Sequence, residues 1–542
     1  MEEQYMVVNA RWVRALAVCA VMSLLAGCAS VGPNYRPVQA QVPVAWPGGS
    51  EHVATPSAYP VPPAPNSTVV PSPINSGSVV TVTTNSEPPP TICTTGTPAD
   101  NMINWWSVFN DPVLDQLISD ALSCNLDLKL AQLRIIQSRE NKGIVEAAWF
   151  PQINANDSAK KERAPGSNGP RRHNGTLNAF QHGLDATWEL DFFGGTRRAV
   201  EAADAQIDAS IEDRRNVMVT VIAEVGIDYI SLRGLQKQLA IARENVDSQQ
   251  KSVELTDKKF NAGISNALDV ANAKALVATT RAQIPVLQTA AQQMTYSIAV
   301  LLGKEPAALD ELLGKSAPIP PAPAAIPLGL PSDLLCRRPD VRRAQALIHA
   351  ATAQIGVARA DFFPKFSLTG QTGLSGPKPS SLISLSRRFY NFGPTIDYPI
   401  FAGGRINCNY LLQKTLTEQA TVTFQQTVLG ALHDVDSSVY AFAKEREHHD
   451  AIADAVKAYQ QVVTLSLKLY RDGSTDFLNV ITAQRSLYQA QDELAQSERA
   501  MSVDVVAVYK ALGGGWNDVD VMDCYAGVKT VDASSAVPAS KP

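Results

Sequence analysis

From Asn178 to Phe192 the chain alternates. Phe180, Leu184, Ala186, Trp188, Leu190 and Phe192 take one register; Gln181, Asp185, Thr187, Glu189 and Asp191 take the other. A period of two sends successive side chains to opposite faces, so this stretch predicts a β-strand with one apolar face. Two further stretches repeat the pattern. Over 365–374, Phe366, Leu368 and Leu374 oppose Lys365, Ser367, Thr369 and Gln371. Over 391–401, Phe392, Ile396, Tyr398 and Ile400 oppose Asn391, Thr395 and Asp397. A fourth candidate, 151–160, is weaker, because after Ile153 it carries mostly small and polar residues.

The rule changes at glycine. After Gly194 and Gly195, Arg197 to Phe260 gives 64 residues of mainly helix-forming types without a proline. That is about 96 Å of helix at ~1.5 Å per residue. After Gly403 and Gly404, Arg405 to Tyr470 does the same over 66 residues, about 99 Å by the same rise. Helices this long outrun any single globular core and must find apolar contacts along their length, in coiled-coil fashion. The predicted returning helices, 267–302 and 477–512, are the neighbours at hand.

The two halves echo each other. "WFPQIN" from Trp149 returns as "FFPKFS" from Phe362, an offset of 213. Gly195-Thr196-Arg197 returns as Gly403-Gly404-Arg405, an offset of 208. "KFNAGISNALDVANAKA" from Lys259 returns as "LYRDGSTDFLNVITAQR" from Leu469, with Gly263 and Gly473 aligned at 210. The period is far too long for a solenoid, so the chain is a duplicated half. Each half predicts helices, strand, loop, strand, long helix, turn and returning helix.

Composition narrows the setting. The chain has 542 residues, 18% of them charged, and a net charge of −5, so no basic footprint points to nucleic acid. Arg11 and Arg14 precede an apolar run, Ala15 to Leu25, too short to span a bilayer and ordered like a secretion signal. It ends at Leu25-Ala26-Gly27-Cys28, which resembles the lipobox of bacterial lipoproteins. That reading makes Gly27–Cys28 the cleavage point and the Cys28 thiol the lipidated group. The plainer reading is an ordinary signal with an incidental cysteine. Ala29, where an aspartate would favour inner-membrane retention, points to the outer membrane. From Val38 to Asp100 there are thirteen prolines and no lysine or arginine, which reads as an extended tether. Seven cysteines without a C-x-x-C pair make neither a disulfide scaffold nor a zinc ribbon. A Cys93–Cys124 bridge is the one pairing weighed.

Strands of roughly 9–11 residues with alternating polarity fit a membrane barrel, although a half-buried sheet in a soluble domain gives the same pattern. Aromatic residues cluster at the strand ends (Trp149, Phe150, Phe192, Phe193, Phe362, Phe363, Phe389, Tyr390, Phe401), as an interfacial girdle requires. Four strands cannot close alone, and open edges are not tolerated in lipid, so a membrane reading requires several chains to share one barrel.

These features together carry a resemblance. "LAGCASVGPNYRPV" (25–38), "WWSVFNDPVLDQLISDAL" (105–122), "WELDFFGG", "RRPDVRRAQALIHAATAQIGVARADFFPKFSLTG" (337–370) and the duplicated glycine turn resemble the TolC-like outer membrane factors, most closely the OprM/NodT-type efflux lipoproteins. The likeness covers about Ala99 to Gly515; the stretch 48–98 departs from the compact family pattern. It implies a mixed but mainly α fold. The resemblance further implies a homotrimer sharing a 12-stranded transmembrane β-barrel, four strands per chain, above a long periplasmic α-helical barrel. Implied partners are a periplasmic adaptor, an inner-membrane RND-type or other pump, and outer-membrane lipid, with no cofactor and no metal. The family sets Gly263 and Gly473 at the periplasmic tip and Gly194, Gly195, Gly403 and Gly404 at the joints between the two barrels. Asp269 matches an acidic gate position; Asn479 and Thr482 stand where the second half would carry acids, and Arg485 matches a basic gate residue. Tyr470 and Arg471 precede the second turn as in that branch. The plain alternative is that Asp269 only caps its helix, and that Asn479 and Thr482 are ordinary surface.

Other chemistry is thin. His448-His449-Asp450 lies in a charged helical run and reads as solvated surface, and Arg337-Arg338-Pro339-Asp340 reads as a helix start. No nucleophile elbow, phosphate loop or zinc motif occurs in context, so no enzymatic constellation is present. The expected organisation is a signal (1–27), a lipidated tether (28–100), a first repeat (101–314), a Pro-rich linker (315–331), a second repeat (332–515) and a loose tail (516–542). The function expected is a passive exit duct exporting small toxic compounds, hence multidrug resistance. A periplasm-spanning structural lipoprotein and a type I protein-secretion duct are the alternatives.

Overall fold

The computed structural model describes residues 30–38, 102–163, 176–323, 326 and 335–517. The signal, Gly27, Cys28, Cys93 and most of the tether and tail lie outside the described residues. The fold is mainly helical, 72%, with one antiparallel sheet of four strands. In chain order come α1 (Pro112–Cys124), α2 (Leu126–Glu146), β1 (Gln152–Arg163), β2 (Thr176–Leu190), α3 (Gly195–Asn261), α4 (Ala267–Leu301), α5 (Pro339–Ala360), β3 (Lys365–Gly376), β4 (Arg388–Asp397), α6 (Arg405–Arg471) and α7 (Phe477–Ala511). Short 3-10 turns and a one-turn α-helix, Asp310–Leu313, lie between them. The duplication is visible in the lengths: α3 and α6 have 67 residues each, α4 and α7 have 35.

The chain forms two units, and they are described in turn. The first holds the segment 30–38 with residues 126–217 and 339–431. Its sheet runs β1-β2-β3-β4, every neighbour antiparallel. The register sorts the side chains. Asn154, Asp185, Gln371 and Asn391 share one row, and Thr187, Thr369 and Gly393 the next, so that face is polar. On the other face Ala155, Leu184, Thr372 and Tyr390 align, then Ile153, Ala186, Gly370 and Phe392, then Trp188, Leu368 and Pro394. Ile153, Leu184, Leu368, Tyr390, Phe392 and Ile396 are large, apolar and exposed there.

Two strand ends fall short of the sequence pattern. β2 stops at Leu190 and not at Phe192, and β4 stops at Asp397, leaving Tyr398 and Ile400 outside the sheet. The cause is loss of a partner. Leu190 faces Phe366 and Asp397 faces Lys365; the residue before Lys365 is Pro364, which has no N–H to give a ladder.

In the second unit, residues 102–125, 218–338 and 432–517, Asp111 caps α1 by accepting from Val113 N (2.9 Å) and Leu114 N (3.3 Å), with Pro112 at the first position. Leu114, Leu117, Ile118 and Ala121 recur at helical spacing and are buried. The glycine run closes the unit. Trp105 stacks on Tyr509 at 5.2 Å, and Gly515 N donates to Met102 O at 2.9 Å. A Cβ on Gly514 would lie 3.0 Å from Met102 O and 3.1 Å from Trp105 Cδ1, so a larger residue there would push its neighbours back by a few tenths of an ångström. Arg338 donates to Ala511 O and to Asp434, both at 3.1 Å, capping the carbonyl end of α7. The predicted helix start at Pro339 is as expected.

The weighed Cys93–Cys124 bridge does not form. Cys124 is a free, exposed thiol at the last position of α1, in hydrogen-bond contact with Ser123 Oγ at 3.3 Å. Cys336 is held in a disulfide. The Pro-rich linker is seated where it is described: Ser502 Oγ donates to Pro320 O at 2.7 Å and Ile326 is buried.

Candidate functional site

Both helical hairpins turn in the same way. Ile264 N donates to Lys259 O and Gly263 N to Phe260 O, each 2.9 Å. Ser474 N donates to Leu469 O at 2.9 Å and Gly473 N to Tyr470 O at 3.2 Å. This paired closure of the last helical carbonyls needs a left-handed residue after the helix, and Gly263 and Gly473 take φ of 71° and 75°.

The residues beyond the turns share a second motif. Asn266 caps α4 by accepting from Asp269 N at 2.8 Å, and Asp269 Oδ2 accepts from Ser265 Oγ at 2.8 Å. In the other hairpin Asn479 Nδ2 donates to Thr475 Oγ1 at 2.7 Å. The bond is the same, with donor and acceptor exchanged. Asn266 is therefore the cap, and Asp269 supplies the N–H it accepts while its own carboxylate takes the Ser265 hydroxyl; Asp269 is part-exposed, and Asn479, Thr482 and Arg485 are exposed. Thr482 bonds its own helix through Leu478 O at 2.9 Å. Among the described residues, no hydrogen bond or ion pair joins Asp269 to Asn479, Thr482 or Arg485 within the chain.

Beside the turns, Tyr470 joins the hairpins, and Gln484 Nε2 donates to Ser252 Oγ at 2.9 Å farther along. Tyr470 is 5% exposed, packs on Phe477 at 5.0 Å and lies among Val253, Ala273, Leu276, Val480 and Ile481. Its hydroxyl lies 3.5 Å from Ser265 Oγ. Lys259 Nζ stands 4.3 Å over the Tyr470 ring and donates to Tyr470 O, placing a cation at the carbonyl end of α6. The sequence named Tyr470 only by its place before the turn. Lys259 carried no signal, because it sits in a charged run and its counterpart in the other half is Leu469.

The strand-to-helix joints differ between the halves. Gly194 has φ 81°, and a Cβ there would come within 2.7 Å of Ser30 Cα. Asp191 Oδ2 accepts from Arg197 N at 2.9 Å, and Phe193 stacks on Phe363 at 4.6 Å. Segment 30–38 is bound here. Val31 N donates to Phe193 O at 3.0 Å, buried Arg198 donates to Val31 O and Asn34 Oδ1, and Tyr35 stacks on His349 at 4.4 Å. At Gly403 and Gly404, with φ of 58° and 84°, nothing lies within 4 Å of the place a Cβ would take.

Farther up α6 and α7, Glu445 gathers polar groups. It accepts from Ser497 Oγ at 2.5 Å and pairs with His448 Nδ1 at 3.2 Å, while His448 Nε2 pairs with Glu493 at 3.2 Å. The hydrogen bond to Glu445, then that to Glu493, raises the His448 pKa. Burial, with Glu445 nearby, pushes Asp504 up to about 6. No cluster of metal-ligating geometry occurs among the described residues.

A duplicated chain in which a two-faced sheet feeds paired helices of 67 and 35 residues has the build of one protomer of an outer-membrane channel. The outer membrane efflux protein family matches over residues 117–304 and 330–514, one stretch in each half, and the chain belongs to that family. It is 33% identical over 426 residues to the pyoverdine export outer membrane protein OpmQ of Pseudomonas aeruginosa, covering 77% of this chain and 88% of that one. It is 32% identical over 421 residues to the toluene efflux pump outer membrane protein TtgF of Pseudomonas putida, covering 78% and 87%. The structure of the outer-membrane channel OprN aligns with a TM-score of 0.75 at 31% identity, covering 90% of this chain and all of that one.

Proposed function

We propose that this protein is the outer-membrane exit duct of a tripartite efflux system, a passive channel that carries small toxic compounds out through the periplasm and outer membrane. The observation that carries the reading is the sheet: four strands, one face polar and one apolar with large exposed side chains, and outer edges on β1 and β4 that no described strand covers. Such a sheet is stable in lipid only when its edges are paired. Three copies bring twelve strands, with the apolar face to lipid and the polar face to a water-filled lumen. The relatives named for toluene efflux and pyoverdine export support the cargo class. A periplasmic adaptor and an inner-membrane pump complete the system and supply its energy. In this reading Cys28 is lipidated, and the seating of residues 30–38 against Phe193 and Arg198 holds that anchor near the first joint.

The tip is the gate. A trimer multiplies each side chain threefold, so Asp269 and Arg485, with Asn479 and Thr482 beside them, set the charge met by an ion at the constriction. Opening shifts the returning helices α4 and α7 outward and breaks the packing around Tyr470. The test is single-channel recording in planar bilayers. Asp269→Ala with Arg485→Ala is expected to change conductance and cation preference severalfold while the trimer persists. A trimer without conductance, before and after both replacements, returns the choice to a structural lipoprotein.

A further inference from the structure

The sheet's apolar face is crossed by a polar row near one end. Along β3 it climbs from Phe366 to Leu374, about 27 Å of strand at ~3.4 Å per residue, or about 21 Å across a bilayer at a tilt near 40°. The row there reads Asp157, His182, Leu374, Arg388, with Ala159, Phe180 and Gly376 in the row beyond. Asp157 and His182 pair with each other, which leaves Arg388 as the cation of that row. Beyond it, the turn between β3 and β4 carries Lys378, Ile383, Leu385 and Arg387 in order. Ile383 is 86% and Leu385 76% exposed, and Lys378, Arg387 and Arg388 are exposed too. None of these three cations is paired with a carboxylate among the described residues.

The turn is shaped and not slack. Ser381 N donates to Lys378 O and Arg387 N to Ser384 O, each at 2.9 Å. A Cβ on Gly376 would collide with Ser381, so the turn folds back on its own strand. Two apolar tips held between cations at the end of an apolar face are the pattern of a segment that sits in a membrane interface. The apolar tips enter the acyl layer, and the cations meet phosphate at the headgroup level.

We propose that the β3–β4 turn is a binding site for the phosphorylated glucosamine glycolipid, the lipid A part of lipopolysaccharide, that forms the outer leaflet. The inference rests on the membrane reading of the sheet given above. It goes further by assigning a ligand. The helices α3 and α6 follow the ends of β2 and β4 that lie away from this turn, so helices in the periplasm put the turn in the outer leaflet. Lys378, Arg387 and Arg388 contact the phosphates, with Ile383 and Leu385 against the acyl chains.

The test uses the full chain reconstituted in vesicles of phosphatidylethanolamine alone, with added phosphatidylglycerol, or with added lipid A. Insertion is read by protease protection, and glycolipid retained per protomer by its hydroxylated fatty acids after a detergent wash. A cation near an anionic lipid surface contributes about fivefold in affinity, so K378E/R387E/R388E is expected to lower lipid A retention about a hundredfold. R387K/R388K is expected to keep most of it, and added salt to weaken it. Retention of phosphatidylglycerol equal to that of lipid A overturns the assignment of the ligand. An inserted protein whose lipid A retention is unchanged by K378E/R387E/R388E overturns the site alone. A chain that inserts into no vesicle overturns the membrane reading, and this site with it.

Discussion

Nothing lies within 4 Å of the place where a Cβ would stand on Gly263 or Gly473. Replacing either by alanine therefore meets no clash, and the cost is that of holding an L-residue at φ near +70°, about 1–2 kcal/mol. Gly263→Ala and Gly473→Ala are each expected to lower stability by that amount with no loss of helix, measured by chemical unfolding followed through circular dichroism. Asp504 is a different kind of residue. Its folded pKa of about 6 stands above the ordinary 3.8 of an aspartate, so the stability it contributes is complete below about 4 and is lost as pH rises through 6. After discounting for its partial exposure, ionised Asp504 beside Glu445 costs about 1 kcal/mol at neutral pH. Asp504→Asn is expected to raise the unfolding midpoint at pH 7.5 and to leave it unchanged at pH 4. An equal gain at both values would place the cause elsewhere than in the carboxylate. His448 titrates in the same sense, since its raised pKa holds the imidazolium between Glu445 and Glu493 and that support fades as pH rises.

At the scale of elements, the tip depends on one cation laid over a helix end. Lys259→Met keeps the length and apolar stem but removes the donor to Tyr470 O and the charge over its ring. About 1 kcal/mol of the α3–α6 contact should go with it, seen as a several-fold rise in open probability with unchanged expression. The sheet makes a matched prediction through its two faces. Phe392 lies on the apolar face and Thr395 on the polar one. Phe392→Arg is expected to cost about 2–4 kcal/mol in lipid and to impair insertion, whereas Thr395→Arg changes conduction and leaves assembly intact. Trimer yield on native gels separates the two. The helices were legible in the sequence because proline is absent over two long runs and glycine marks each end, so the bounds of α3 and α6 fall close to those expected. The strand ends were not, since Tyr398 and Ile400 continue the alternation while their partner strand has already ended at Lys365. Asp269, Asn479, Thr482 and Arg485 were named only through the family resemblance, because their residue types and spacing mark no site by themselves. Lys259 and the seat of residues 30–38 were invisible, because each depends on a contact over a long sequence separation that leaves no local pattern.

At the scale of the molecule, duplication builds the wall twice from one plan and lets the halves diverge where only one copy is constrained. The first joint is packed against Ser30 and the second stands open; the first hairpin supplies Lys259 and the second receives it. The exchanged hydrogen bond carries this furthest. Ser265 gives its proton to Asp269, and Asn479 gives one to Thr475, so both hairpins keep one backbone shape with an acid in one and an amide in the other. In a trimer the opening is then hexagonal in outline but triangular in potential. With Asp269 lining the pore as proposed above, a passing ion would meet six walls of one backbone shape and only three attractive sectors, and its path of least energy would run off the axis.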